Sequence, residues 1–434
     1  MSDAKRVFAH FMVGNTYPYK GTDWNADMTQ AASHGIDGFV LNVGKEDWQF
    51  DQVARAFDAA AGLTQPFLLF LSFDMRWAPL LDALDRDRRE YSSIPSSSVS
   101  DTDHLCRYLR AFGSHTKMYR HRGRVFVSTF AGENSKFGQV GGMNEAWTFA
   151  RQEMENIVPI IFIPAFFIDP ARYPDLPVID GAFNWNGSWP NHLTPGHPRH
   201  ETEYPRLDTD LHHVKSLSKR LFMASHYGPD TWNKNWIYRG DDWLFVRRWE
   251  DLVSRRDAID IIQIISWNDY GESHYICPTV RGAQPNSEAW VDGFPHGAWL
   301  RLSAFFIRAF KNGVYPRIER DEIYVWGRPH TRSATAPDSV PRPANWELTD
   351  DVFWVLILSS GPGTVCLRSG ENAPAFTSIG YGINKLSHPL DVGGSMLVTL
   401  EREGQIVAQC EAKGFCFTDR PAVYNFNAFT AMSQ

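Results

Sequence analysis

The stretch that decides the fold of this chain spans residues 259–274 and reads IDIIQIISWNDYGESH. Its first half is almost entirely apolar, which is typical of a strand buried on both faces in a parallel sheet. Its second half carries two carboxylates, Asp269 and Glu272, beside Trp267 and Tyr270. Burying a carboxylate costs free energy unless it is hydrogen-bonded, so the pair indicates a functional site, although an Asp after a strand also commonly caps a helix or closes a turn.

Strand-like runs of this kind recur throughout the part of the chain before residue 275, with helical patterns between them. The eight runs are 7–13, 38–43, 67–73, 125–130, 160–165, 179–185, 221–225 and 261–266. Helices are predicted at 23–33, with Asp23 as its N-cap, and at 50–61, 101–116 and 243–256. Eight alternating strands and helices predict an α/β fold, a (β/α)8 TIM barrel over residues 1–315, with a doubly wound open sheet as the alternative.

The pattern changes after an apolar helix predicted at 299–310, where short strands are separated by Gly, Pro and Asn turns. The predicted strands are 322–326, 351–359, 363–368, 395–401, 405–413 and 422–426. They predict a C-terminal all-β sandwich domain over residues 316–434, with an exposed loop at 329–343.

Composition narrows the class of partner. The 434 residues carry a net charge of -7 without long like-charged blocks, and 43% of them are hydrophobic. We therefore expect a globular protein with no nucleic-acid partner, no membrane partner and a monomeric state. The five cysteines are scattered and the N-terminus lacks an apolar leader, which predicts a cytoplasmic protein; the alternative is a secreted or cell-wall protein whose leader has been removed.

Motifs for the common cofactors are absent from the sequence. It contains no Walker A loop, no GxGxxG after a predicted strand and no HExxH. We expect neither a cofactor nor a metal.

Catalytic groups of a TIM barrel lie at the C-terminal ends of its strands, so the polar and aromatic residues that end the predicted strands or follow them are the candidates for substrate binding. Each of them alone also fits an ordinary structural role. They are His10, Asn15, Asn42, Asp74, Trp185, Asn186, Trp189, His226, Tyr227, Trp236, Trp267, Asn268, Tyr270 and His274. Two carboxylates among aromatics suit glycosidic cleavage, in which one acid protonates the leaving oxygen and one carboxylate activates water or attacks the anomeric carbon.

Four motifs add a resemblance to this interpretation. They are AHFMVGN at 9–15, GIDGFVLN at 35–42, SFDM at 72–75 and WNDYGESHYI at 267–276. In content and order they resemble glycoside hydrolase family 71, the fungal endo-1,3-alpha-glucanases, also called mutanases. The resemblance implies a (β/α)8 barrel with a C-terminal β-sandwich. It also implies endo-acting hydrolysis of α-1,3-glucosidic bonds in cell-wall α-1,3-glucan, with inversion and without a metal.

The same resemblance points to Asp269 and Glu272 as the catalytic pair. We take Glu272 as the general acid and Asp269 as the base, with the reverse assignment open and Asp74 a rival for either role. Inversion predicts carboxyl groups ~6.5 to 9.5 Å apart, and retention ~5 to 5.5 Å. The alternative functions are a catalytically weak carbohydrate-binding protein and a retaining α-glucan transferase.

Overall fold

A computed structural model describes residues 4–75, 93–185, 214–220, 223–229, 231–232, 234–238, 243–278 and 287–434. The described residues fall into two compact units. The first unit contains the described residues of Met1–Asn191, Thr202–Arg220 and Asp251–Asn268. The second unit contains those of Leu221–Glu250 and Asp269–Gln434. The domain boundary expected at residue 315 stays a prediction from composition.

The first unit is built on a nine-stranded sheet. Its strands are β1 (Arg6–Met12), β2 (Gly38–Val43), β3 (Leu68–Asp74), β4 (Arg120–His121), β5 (Arg124–Phe130), β6 (Ile160–Ala165), β7 (Gly181–Asn184), β8 (Val214–Arg220) and β11 (Ile261–Ile265). Only β4 pairs antiparallel; the other eight are parallel, in the order β6-β5-β3-β2-β1-β11-β8-β7. Strands β2, β6 and β11 are buried along their whole length, as expected of apolar runs in a parallel sheet.

The helices of the first unit follow the predicted pattern. They include α1 (Gly21–Ser33), α2 (Asp47–Gly62), α3 (Thr102–Phe112) and α4 (Met143–Glu155). The expectation that Asp23 is the N-cap of α1 is wrong. The helix begins two residues earlier, and the Asp23 carboxylate accepts a hydrogen bond from the Lys20 backbone N–H at 2.8 Å, which makes it the third helical residue of a capping box.

One predicted strand of the first unit is wrong. The strand that pairs with β11 is β8, not 221–225. Residues Met223–His226 form β9, which pairs antiparallel with β10 (Asn235–Tyr238) in a two-stranded sheet of the second unit. The sequence of β8 reads VKSLSKR and is mostly polar, so a search for apolar runs passes over it and selects the apolar residues that follow.

Strand β2 begins at Gly38, where the sheet leaves no room for a side chain. A Cβ there would lie 1.9 Å from the carbonyl oxygen of Leu68 and 2.9 Å from Cε1 of Phe8. Because backbone would have to move, we expect Gly38→Ala to lower the free energy of unfolding by about 3 kcal/mol, measured by urea denaturation. The matched control is Gly62→Ala, where nothing among the described residues lies within 4 Å of an added Cβ. Equal stability of the two variants would contradict the steric argument.

The second unit contains β9, β10, most of α5 (Leu244–Ser254), α6 (Glu288–Val291), α7 (Gly297–Asn312) and two four-stranded antiparallel sheets. The sheets comprise β12 (Glu322–Gly327), β13 (Val352–Ser359), β14 (Gly363–Arg368), β15 (Ala375–Ile379), β16 (Gly382–Pro389), β17 (Leu397–Arg402), β18 (Gln405–Glu411) and β19 (Phe429–Met432). Their orders are β16-β13-β12-β19 and β15-β14-β17-β18. Apolar residues of both sheets, such as Val325, Val355, Leu367 and Val398, belong to one buried core, as in a β-sandwich.

The sequence predicts this sandwich better at its centre than at its edges. Strands β15 and β16 were not predicted, because most of their residues are exposed or half-buried and the apolar alternation is weak. The strand predicted at 422–426 is wrong; the final strand is β19, a few residues later. All five cysteines are free thiols. Within the described residues, every helix is too short or too polar to span a bilayer.

Candidate active site

A tight turn in the second unit brings the two predicted carboxylates together. The backbone N–H of Ser273 donates to the carbonyl of Tyr270 at 3.0 Å, and Ser273 has a left-handed backbone with φ 60°. The imidazole of His274, fully buried, lies against both acids: its Nε2 is 3.1 Å from Oε2 of Glu272 and 3.3 Å from Oδ2 of Asp269. His274, predicted to bind substrate, therefore bridges the two acids that the sequence singled out.

A lysine that the sequence did not single out completes this cluster. The Lys234 ammonium, just before β10, is 2.6 Å from Oε1 of Glu272. Both side chains are largely buried, with exposed fractions of 18% and 17%. The ammonium also lies 6.0 Å from the ring centres of both Trp232 and Trp236. Trp236, predicted to bind substrate, thus flanks the lysine that contacts Glu272.

The surroundings shift the pKa values of the two acids in opposite directions. Burial raises the pKa of Asp269, and the negative charge of Glu272 raises it further, while His274 and Lys234 oppose the rise. Burial also disfavours ionisation of Glu272, but Lys234 and His274 together outweigh it and hold the pKa of Glu272 well below its usual range. At neutral pH, Glu272 is the carboxylate of the pair and Asp269 is the group that holds a proton more readily.

Among the described residues, one group of side chains has the donor atoms for a metal ion, and it consists of Asp269, Glu272 and His274. One donor atom each from Asp269, Glu272 and His274 lies within 4.8 Å of the others. The Lys234 ammonium lies against this group, so a bound cation would meet a positive charge. The donor set therefore suits proton chemistry better than metal binding.

Tyr227 and His226, both predicted to bind substrate, lie in or next to β9 and have different surroundings. Burial and then the charge of Asp269 raise the pKa of Tyr227, so the phenol lies within electrostatic range of that acid. His226 is 93% buried, and its ring nitrogens lie 2.8 Å from Oδ1 of Asn235 and 2.8 Å from Oδ2 of Asp338. These bonds give His226 a structural role in joining β9, β10 and the segment around Asp338.

In the first unit, several predicted strand-end residues do come together. The ring of Trp185, after β7, lies 4.7 Å from that of His10 on β1 and 4.6 Å from that of Phe130 on β5. Asn42 is buried on β2, and Asp74 ends β3, where its carboxylate accepts a hydrogen bond from the Ser93 hydroxyl at 3.0 Å. Of these residues, the rings of His10, Trp185 and Phe130 form one cluster, and a substrate-binding role for this edge of the sheet stays a prediction.

Two of the predicted asparagines, Asn15 and Asn268, use their amides to hold backbone. Asn15 donates from Nδ2 to the carbonyl of Asn268 at 2.9 Å. The Asn268 side chain in turn accepts from the Met12 N–H at 2.7 Å and donates to the Met12 carbonyl at 3.1 Å. These bonds join the chain after β1 to the residue directly before Asp269, so both amides position the segment from which the catalytic turn begins.

Two predicted aromatic platforms have no exposed face. Trp267 and Tyr270 are fully buried, with their rings 5.1 Å from those of Phe39 and Tyr275 respectively. We therefore assign them a packing role. Asn186 and Trp189 lie outside the described residues.

Lys234 is the functional residue that sequence reasoning missed. It stands in the segment Thr231–Tyr238, which reads TWNKNWIY, between two tryptophans that alternate with it. This alternation is a signal for a strand with one face of aromatic and basic side chains, but it does not indicate which acid the lysine would meet.

A buried acid with a raised pKa beside a carboxylate with a lowered pKa, with aromatic side chains nearby, is the arrangement typical of a glycoside hydrolase. Comparison with known proteins identifies the family of glycoside hydrolases. The chain belongs to glycosyl hydrolase family 71, whose family model matches residues 3–434.

Curated relatives cover almost the whole chain. Glucan endo-1,3-alpha-glucosidase agn1 of Schizosaccharomyces pombe is 34% identical over 99% of this chain and 94% of its own length. A mutanase of Penicillium rubens is 30% identical over 100% of this chain and 90% of its own length. The ascus wall endo-1,3-alpha-glucanase of Schizosaccharomyces pombe is 31% identical over 87% of this chain and 84% of its own length.

Proposed function

We propose that this enzyme hydrolyses α-1,3-glucosidic bonds within chains of α-1,3-glucan. The observation that carries the proposal is the buried pair of Asp269 and Glu272, with pKa values shifted in opposite directions, in a member of glycosyl hydrolase family 71. The names of its relatives, endo-1,3-alpha-glucosidase and mutanase, support the same bond and the same internal mode of cleavage. A carbohydrate-binding protein without catalysis has no use for this pair.

In this proposal Asp269 is the general acid, and Glu272 is the ionised carboxylate that activates water or attacks the anomeric carbon. Asp269 holds its proton because it is buried next to a negative charge, and it donates that proton to the glycosidic oxygen of the leaving sugar. Glu272 stays ionised because Lys234 and His274 contact it. These roles are the reverse of those that we favoured from the sequence, because the sequence did not show that Lys234 contacts Glu272.

The spacing of the pair bears on stereochemistry. An oxygen of Asp269 lies within 4.8 Å of an oxygen of Glu272. Inverting pairs are ~6.5 to 9.5 Å apart, so the observed spacing favours retention by this pair. Inversion, which the family resemblance implies, would need a carboxylate farther from the general acid to activate water. NMR of the first product anomer distinguishes these routes, and a retaining outcome also favours the transferase alternative.

We also infer that the parallel sheet closes as a (β/α)8 barrel. The backbone N–H of Asp180, one residue before β7, donates to the carbonyl of Phe162 on β6 at 2.9 Å. The Asp180 carboxylate accepts from the Phe162 N–H at 2.8 Å. These bonds support contact between the two strands that end the hydrogen-bonded order, as closure requires.

For the cellular setting, we propose α-1,3-glucan as the partner of a monomer that binds neither nucleic acid nor membrane. The name of one relative places that protein in the ascus wall. This supports the secreted or cell-wall alternative over the cytoplasmic location that we expected from the sequence.

A substrate panel tests the proposed function. We expect the purified enzyme to release reducing ends from insoluble α-1,3-glucan, with oligosaccharides as early products, and to leave starch and β-1,3-glucan intact. Boiled enzyme is the control. No release from α-1,3-glucan between pH 4 and 8, or equal release from all three polymers, would overturn the assignment.

A further inference from the structure

Glu272 is held at both of its carboxylate oxygens. Oε1 lies 2.6 Å from the Lys234 ammonium, and Oε2 lies 3.1 Å from Nε2 of the buried His274. A largely buried carboxylate needs such partners to remain ionised, and two partners on opposite oxygens also fix its orientation. Of these, only the lysine carries a permanent positive charge at neutral pH.

We propose that Lys234 is a positioning residue of the active site, which holds Glu272 ionised and oriented beside Asp269 through a direct ion pair. This inference deepens the proposed function and rests on it for the roles of the two acids. Lys234 does not act on the reacting atoms; it sets the state of the group that does.

The lysine is itself held on both sides. Its ammonium lies 6.0 Å from the ring centres of Trp232 and Trp236, within the range of cation–π attraction. Its carbonyl accepts a hydrogen bond from the Tyr227 N–H at 2.8 Å, across the β9–β10 hairpin. A long, flexible side chain with these contacts loses little further freedom when it pairs with Glu272.

The hairpin is bound to the catalytic turn and to a second segment of the same unit. On one side, the Ala224 N–H donates to the Glu272 carbonyl at 3.2 Å, and the Ser225 hydroxyl donates to the Gly271 carbonyl at 3.3 Å. On the other side, residues 338–345 pair with it through several bonds. They are His226 Nε2 with Asp338 Oδ2 at 2.8 Å, Asn235 Nδ2 to the Pro341 carbonyl at 2.7 Å, Ile237 N–H to the Ala344 carbonyl at 2.9 Å and Ala344 N–H to the Asn235 carbonyl at 3.0 Å.

The proposal has a definite consequence for pH dependence. The titratable groups that face Glu272 are Lys234, His274, Asp269 and Tyr227. Lys234 lowers the pKa of both Glu272 and Asp269, so its removal raises both. Activity needs an ionised Glu272 and a protonated Asp269; the acidic limb and the alkaline limb of the profile must therefore both move to higher pH.

Three variants test this with kcat/KM measured against pH on a soluble α-1,3-gluco-oligosaccharide. For Lys234→Met we expect both limbs to move upward by about one pH unit, with about 10-fold to 100-fold lower kcat/KM at the wild-type optimum. Lys234→Arg, which keeps the charge, should restore the wild-type limbs. Lys385→Met is the matched control, because Lys385 forms a comparable ion pair with Glu250, at 2.5 Å, and should leave the profile unchanged.

An unchanged profile in Lys234→Met, or a Lys234→Arg profile displaced as far as that of Lys234→Met, would overturn the inference. An inactive wild-type enzyme would instead overturn the proposed function. In that case the ion pair is tested without turnover, by a urea-unfolding cycle of Lys234→Met and Glu272→Gln. We expect the double variant to lose less unfolding free energy than the sum of the losses of the two single variants. A loss equal to that sum would refute the pairing.

Discussion

Glu272→Gln is expected to lower kcat on α-1,3-glucan oligosaccharides by about 10³-fold to 10⁴-fold, with KM changed by only a few fold. The substitution keeps the shape of the side chain but removes its charge, so it can no longer activate water or attack the anomeric carbon. It also leaves the Lys234 ammonium, now 2.6 Å from a carboxylate oxygen, without its negative partner. A lower kcat with a nearly unchanged KM indicates a group that acts in the transition state.

The control for this variant is Glu319→Gln, which makes the same chemical change at an exposed glutamate of the second unit. It should retain wild-type kcat and KM. Circular dichroism at the assay temperature shows whether Glu272→Gln is folded. A folded Glu272→Gln enzyme that keeps more than a tenth of the wild-type kcat would rule out a catalytic role for this carboxylate.

Asp269→Asn should show a loss that depends on the leaving group. We expect hydrolysis of the natural glucan to fall about 10³-fold, because the leaving sugar oxygen needs a proton that asparagine does not supply. An α-1,3-gluco-oligosaccharide with a 2,4-dinitrophenyl leaving group needs no such proton, so its cleavage should fall much less. Since burial and the charge of Glu272 raise the pKa of Asp269, wild-type activity falls as pH rises through that pKa, and this alkaline limb should be absent in Asp269→Asn.

Asp292→Asn, at an exposed aspartate of the same unit, is the matched control and should behave as the wild type on both substrates. Glu272→Gln should give the contrasting pattern, with a large loss of activity on both the glucan and the dinitrophenyl substrate. If Asp269→Asn loses as much on the dinitrophenyl substrate as on glucan, Asp269 is not the general acid. The comparison then points to the original assignment, in which Glu272 donates the proton.

Much of the fold is predictable because its signals are local. Buried parallel strands such as β2, β6 and β11 consist of apolar runs, and the rule that sites lie at strand ends directs attention to Asp269 and Glu272 without any coordinates. The prediction fails where burial and sequence disagree. Strand β8 is mostly polar and was missed in favour of the apolar residues after it, which form β9 in the other unit.

The sequence singles out the proposed catalytic pair, but it does not indicate the chemical role of each acid. Spacing along the chain shows that Asp269 and Glu272 share a turn; it does not show which charges surround them. The decisive neighbour, Lys234, is 38 residues away from Glu272 in the chain and reaches it because β9 and β10 fold back as a hairpin. A pKa depends on distance and burial in three dimensions, and both are absent from a linear order of residues.

By itself, then, the sequence determined most of the parallel strands, the central strands of the C-terminal antiparallel sheets and the family, and it singled out the two acids, because apolar periodicity and contiguous motifs express these features locally. Only the tertiary structure decided that Trp267 and Tyr270 are buried, that His226 joins structural segments and that Asp269 is the more readily protonated acid. Each of these depends on contacts between distant parts of the chain. The ionisation of the pair is the clearest case, since the ammonium group 2.6 Å from Glu272 and the imidazole of His274 lower the pKa of that acid, and neither contact can be read from the sequence.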